Sequence, residues 1–173
     1  MKSNFKLKKP VVAAISFLIL LSAVTALAQK QEKPDIRLNI SILKEISVTE
    51  NGKETVKLVE AEETSVGDIL VFAIEYSNEG NAVAVEPTIV DPVPQDTVYI
   101  LGSAAGENAA ITFSIDGGKT YSESPITYRA TTAGGDPVEV EAPAEMYSHI
   151  KWLIHETVKP GQTGELSFRV TVK

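Results

Sequence analysis

Apolar and polar residues alternate along most of the chain, and the alternation breaks wherever Gly, Pro, Asn or Asp cluster. Ile36, Leu38, Ile40 and Ile42 alternate with Arg37, Asn39 and Ser41, the period-two pattern of a strand with one face on a core. Ile46 and Val48 keep the same parity, so the strand is expected to continue. Glu50-Asn51-Gly52-Lys53 then turns the chain, since Asn-Gly readily takes the positive φ angles of a tight hairpin, and Thr55 to Val59 returns. A second break at Val66-Gly67-Asp68 precedes Leu70, Phe72, Ile74 and Tyr76, which share one face of an expected central strand. Val83, Val85 and Ile89 alternate next and predict a return to the inner face; Asp91-Pro92-Val93-Pro94 stops that strand, because proline has no N–H for a central ladder.

The same period runs through Val98 and Ile100, then through Ile111, Phe113 and Ile115. Met146, Ser148, Ile150, Trp152 and Ile154 share a parity, with Tyr147, His149, Lys151 and His155 on the other. Trp152, the one tryptophan, is the expected core anchor. Leu166, Phe168, Val170 and Val172 close the chain as inward positions of a last strand. Ser122 to Pro143 carries a glycine-rich turn at Thr131 to Asp136 and reads as a surface hairpin between two core strands. After residue 28 no stretch has apolar residues at helical spacing over a helix-forming length. Short strands separated by turn signals every eight to twelve residues or so predict an all-β protein, an antiparallel immunoglobulin-like β-sandwich of about seven to nine strands.

The first 28 residues differ from the rest. Lysines at 2, 6, 8 and 9 precede an uncharged apolar run that ends in Ala26-Leu27-Ala28, the order of a secretory signal peptide. A retained membrane anchor is the alternative, because Val11 to Ala28 just reaches spanning length. The expected organisation is a signal peptide over 1–28, a flexible lead-in over 29–35 and one sandwich domain over 36–173. The chain has no cysteine, which excludes disulfides, thiolate metal sites and a lipid-modified cysteine. Four of the 16 basic residues and none of the 23 acidic ones lie in the leader, which leaves −11 for the remainder. A surface of that sign repels phosphate backbones and anionic lipid heads, so nucleic acid is not an expected partner.

Gly67-Asp68, Asn78 with Gly80, Asp91 with Pro94 and Thr97, and Pro160-Gly161 with Gly164 and Phe168 fill a recurring pattern. In that pattern a Gly-Asp is followed by a strand ending N-x-G, a D-x-x-P-x-x-T segment and a closing P-G-x-x-G-x-x-x-F-x-V-x-V. From about Ile36 to Lys173 the chain resembles a bacterial surface and exported repeat domain of unknown function, the DUF-eleven type. The resemblance implies an immunoglobulin-like sandwich outside the cytoplasm, usually in repeated arrays; here one copy is present and no second period is visible. It supplies no catalytic residues.

Candidate chemistry is sparse. Ser114 to Tyr121 fits S-x-D-x-G-x-T-aromatic, an Asp-box hairpin whose Ser and Asp side chains bind turn backbone, and a structural turn is the expected role. His149 and His155 share strand parity, but six residues of strand separate them by about 20 Å, too far for one ion. Asp91, Asp96 and Asp116 with Glu107 or Asn108 are a conceivable oxygen cluster for calcium, although no D-x-D-x-D-G run occurs and loop turns account for the same residues. No nucleophile elbow or H-E-x-x-H helix motif is present.

The expectation is therefore an exported, non-enzymatic structural or protein-interaction module of the cell envelope. It is periplasmic, surface-bound or secreted, monomeric or weakly oligomeric, not inserted in the membrane once the leader is cleaved, and has no assigned catalytic, cofactor or metal residues. Two alternatives remain open. One is an accessory subunit that pairs an edge strand, beginning at Ile36 or ending at Lys173, with a partner. The other is a small carbohydrate-active or calcium-binding surface protein, which would need paired acids in a cleft for the former activity.

Overall fold

The structure, a computed structural model, describes residues 32–173. The expected leader and the first three residues of the lead-in lie outside the described residues. Eleven strands run in the order β1 Ile36–Glu50, β2 Lys53–Glu60, β3 Ile69–Asn78, β4 Thr88–Pro92, β5 Thr97–Tyr99, β6 Ala105–Gly106, β7 Ala109–Ser114, β8 Thr127–Thr131, β9 Pro137–Glu141, β10 His149–Ile154 and β11 Thr163–Val172. All pairings are antiparallel. Six strands make one sheet in the order β2-β1-β3-β11-β5, with the two-residue β6 also on β11, and three make the other in the order β4-β10-β7. Strands β8 and β9 form a separate hairpin. The protein is an antiparallel β-sandwich, and the nine strands of its two sheets match the expected number.

The core follows the alternation where both sheets are present. Leu70, Phe72, Ile74 and Tyr76 of β3 face Leu166, Phe168 and Val170 of β11 in register, and all are buried. From the smaller sheet come Ile150, Trp152 and Ile154 of β10 with Ile89 and Phe113. Phe72 and Phe168 stack at 4.8 Å, Trp152 lies 6.2 Å from Phe168, and the indole N–H donates to Ala105 O at 3.2 Å. The Asn51-Gly52 turn forms as expected, both residues with positive φ. Ser122 to Pro143 folds as the predicted hairpin, held at its base by Ile126 and Ala142, which are buried while the strands between them are largely exposed. Pro92 ends β4, an edge strand, as its missing N–H requires.

Several expected faces are corrected. Val83 and Val85 point outward and Ala84 inward, because Ala84 bridges Val158 and sets the parity before β4 begins. Tyr99, rather than Val98 or Ile100, enters the core, where it packs against Phe113 and Tyr147. Tyr147 is buried as well, since the 3₁₀ turn Ala144–Met146 interrupts the extended chain before β10. β11 is an interior strand with partners on both sides, so the end at Lys173 offers no free edge.

Residues 33–35 of the expected flexible lead-in are fixed to the sandwich, Lys33 by Asn81 and Asp35 by Asn78. Asn78 is fully buried; its amide N–H groups donate to Ala82 O and Val158 O, both at 2.8 Å, and its Oδ1 accepts from the N–H of Gly80 at 3.0 Å and of Asp35 at 3.1 Å. A side chain at Gly80 would collide with this segment, its Cβ only 2.3 Å from Lys33 O. Asn78→Ala strips partners from four backbone groups and is expected to destabilise the protein by about 3 kcal/mol, measured by urea denaturation.

Candidate functional site

Strand β1 leaves the core before it ends. Its even-numbered residues share the inner face with the buried residues of β3, Leu38 opposite Tyr76, Ile40 opposite Ile74 and Ile42 opposite Phe72. Yet Leu38, Ile40 and Ile42 are 45%, 46% and 44% exposed, because the three-stranded sheet does not extend over them. The expectation that they rest on a core is corrected to a half-covered apolar strip beside it. The same stretch is an open edge. β2 pairs with β1 only from Leu43 to Glu50, and the last contact on that side is Ala61 N–H to Ile42 O at 3.1 Å. Since backbone groups alternate sides along an antiparallel strand, those of Leu38 and Ile40 point away from β3. Lys44, next on the inner face, closes the strip with an ion pair to Asp68 at 3.4 Å, a charge of the kind that limits edge-to-edge association.

The outer face of the larger sheet holds a different feature, a cleft of about 790 Å³. Its floor is the cross-strand row Ser41, Ala73 and Ser167, whose small side chains leave a depression. Beside it runs the row Asn39, Glu75 and Glu165, and a wall rises from Ala105 to Asn108 with Glu156. Asn108 donates its amide to Glu156 Oε1. Tyr76 also lines the cleft; burial first, and then the carboxylates of Glu156 and Glu107, hold its phenol above the ordinary tyrosine range. No spacing in the sequence signals this cleft, because only strand register brings Glu75 opposite Glu165.

The sequence-derived candidates lie apart. In the Asp-box, Asp116 Oδ1 accepts from the N–H of Lys119 and Thr120, both at 3.0 Å, and from Ser114 Oγ at 2.7 Å; Thr120 Oγ1 donates to Oδ2 at 2.7 Å. Every oxygen is engaged by its own turn, which is the structural role expected of it. Lys151 lies 4.2 Å over the Tyr121 ring. His149 sits 3.1 Å from Ser148 Oγ, but that hydroxyl donates to Ser114 O and accepts from Gly117 N–H, so the pair braces the turn and leaves no activated nucleophile. His155 follows β10, its N–H on Asn108 O, a strand's length from His149.

The aspartates proposed for calcium do not converge. Asp91 is half-buried opposite Ile150, and burial pushes its carboxyl up, partly offset by His149. Asp96 adopts positive φ and its carbonyl accepts from Lys173 N–H, while Glu107 and Asn108 belong to the cleft wall. Among the described residues no three His, Asp or Glu side chains gather closely enough to hold a metal ion, and no helix is long and apolar enough to cross a membrane. No protein-family model, no curated protein and no solved structure matches the chain.

The hydrogen bonds from Thr120 first, then from Ser114 and the Lys119 N–H, hold the Asp116 carboxyl well below its ordinary range. A carboxyl with a lower pKa folded than unfolded adds stability at neutral pH that is lost as pH falls through the ordinary value near 4 towards the depressed one. Asp116→Asn is expected to lower Tm by several degrees at neutral pH, and the gap to the parent protein should narrow progressively below about pH 4, as followed by circular dichroism.

Proposed function

We propose that this protein is an exported, non-catalytic interaction module of the cell envelope that takes up an extended segment of a partner protein along Ile36 to Ile42. The observation that carries the reading is the coincidence, on Leu38 and Ile40, of half-exposed apolar side chains with backbone groups that no strand of the chain covers. An added strand would satisfy the N–H and C=O groups, and its own alternating apolar residues would extend the strip. The surface left after the leader is strongly acidic, so a segment flanked by basic residues is the complementary partner.

Export rests on the basic head, apolar run and Ala-x-Ala of the first 28 residues. The immunoglobulin-like, DUF-eleven type reading is supported by the two-sheet sandwich and by what the motif positions do in it. Asn78 and Gly80 shape the turn after β3, Pro94 O accepts from Thr97 Oγ1 at 2.7 Å, and Gly161 turns the chain into β11 with positive φ. The non-catalytic reading is supported by the engagement of Asp116, Ser114 and Ser148 in turn structure.

Light scattering coupled to size exclusion, on the exported fraction, tests the mode of binding. The parent protein is expected to run in a complex larger than itself, Ile40→Lys as the free protein, and Val85→Lys, at an exposed site elsewhere, as the parent does. A parent protein that runs as a monomer at its physiological concentration, or a complex indifferent to Ile40→Lys, defeats the proposal.

A further inference from the structure

Glu75 and Glu165 face each other directly across β3 and β11 on the outer face, an arrangement in which like charges repel. The arginines on the outer face of β1 and β11 do not relieve it. Arg37 is held by Asp35 at 2.9 Å with Glu79 at 3.8 Å, and Arg169 reaches Glu45 at 3.2 Å. Glu107 and Glu156 add two carboxylates from the wall of the same cleft. Among the described residues none of these four glutamates has a Lys, Arg or His within ion-pair distance. A concave site lined by one sign of charge concentrates its field and draws counter-ions.

An independent feature points into the same space. Tyr76 is only 8% exposed, and its hydroxyl, which bonds no group among the described residues, is the part of it that stays open to the cleft. The ring passes over Gly164, where a Cβ would come within 2.2 Å of both Cζ and Oη, so the glycine is what allows the phenol to reach past β11. A buried ring that carries a free hydroxyl into an acidic cleft offers an acceptor for N–H.

We propose that this cleft binds an extended organic polycation, a flexible aliphatic chain bearing several ammonium groups. The four carboxylates are spread over the floor edge and the wall, and no three of them approach closely enough for a metal ion, which matches charges spaced along a chain better than one compact cation. Ammonium groups settle against Glu75 and Glu165 at one end and Glu107 and Glu156 at the other, with Tyr76 Oη accepting one N–H. The chemistry is shared by free polyamines and by lysine side chains of a peptide.

Isothermal titration of the whole protein with spermine and, separately, with tetralysine distinguishes these sources. At least one is expected to bind, about tenfold more weakly when salt rises from roughly 20 to 200 mM. Glu107→Gln with Glu156→Gln should weaken that binding about tenfold or more and Tyr76→Phe several-fold, whereas Glu54→Gln with Glu123→Gln, the same charge change on exposed sites elsewhere, should leave it unchanged. Glu75→Gln should weaken binding while raising the Tm of the unliganded protein, because it removes the cross-strand repulsion. Failure of both spermine and tetralysine to bind, or equal loss in the two double variants, overturns the proposal, the latter by showing diffuse attraction to an acidic surface. Neither result bears on the apolar strip, which lies on the opposite face of β1.

Discussion

The side-chain amide of Asn78 ties together segments that the sheets alone leave separate. It stands at the end of β3 in the larger sheet and reaches Val158, just beyond β10 of the smaller one, as well as Ala82 on the way to β4 and Asp35 on the way into β1. Its own backbone joins the turn before β11, with N–H to Gln162 O and C=O from Gly161 N–H. A buried amide has two donors and two acceptor positions, and here all are used. A domain without cysteine has no covalent link between its layers, so a fully satisfied polar junction of this kind does what a disulfide does in many secreted sandwiches, fixing the closure of one end.

That junction also determines how β1 is presented. With residues 33–35 fixed alongside the turn after β3, β1 begins in register and runs straight through the sheet, past the start of β3 and on into its hairpin with β2. A strand this long cannot be covered throughout by a three-stranded layer. Its inner face is apolar and half open; its outer face contributes Asn39 and Ser41 to an acidic cleft. One strand thus carries two surfaces of opposite chemistry, separated by the thickness of the sheet.

The sequence makes plain those strands whose neighbours are present on both sides. β3, β10 and β11 alternate cleanly, and their apolar parity is the buried one. β1 alternates just as cleanly and is half-exposed, because period two reports which residues share a face and says nothing of whether a second layer reaches that face. Val83, Val85, Val98 and Ile100 mislead for another reason: β-bridges and short turns reset the parity, and a small residue such as Ala84 or an amphipathic one such as Tyr99 takes the inward place. The acidic cleft was not legible at all, since it arises from register between strands far apart in the chain. The turn-binding role of the Asp-box was legible, because the partners of Asp116 lie within four residues of it, whereas the brace from Ser148, more than thirty residues on, was not.

The hairpin of β8 and β9 stands outside both sheets, yet its two ends are pinned. Ala142 N–H bonds Ile126 O at 2.7 Å, and Tyr147 Oη accepts from Ile126 N–H. Between those pins Tyr128 still packs against the core, whereas the glycine turn at the tip is exposed. Length and composition at the tip are the least constrained by the core, so it is the natural place for such a scaffold to accept foreign sequence, whether through evolutionary drift or as an engineered display loop.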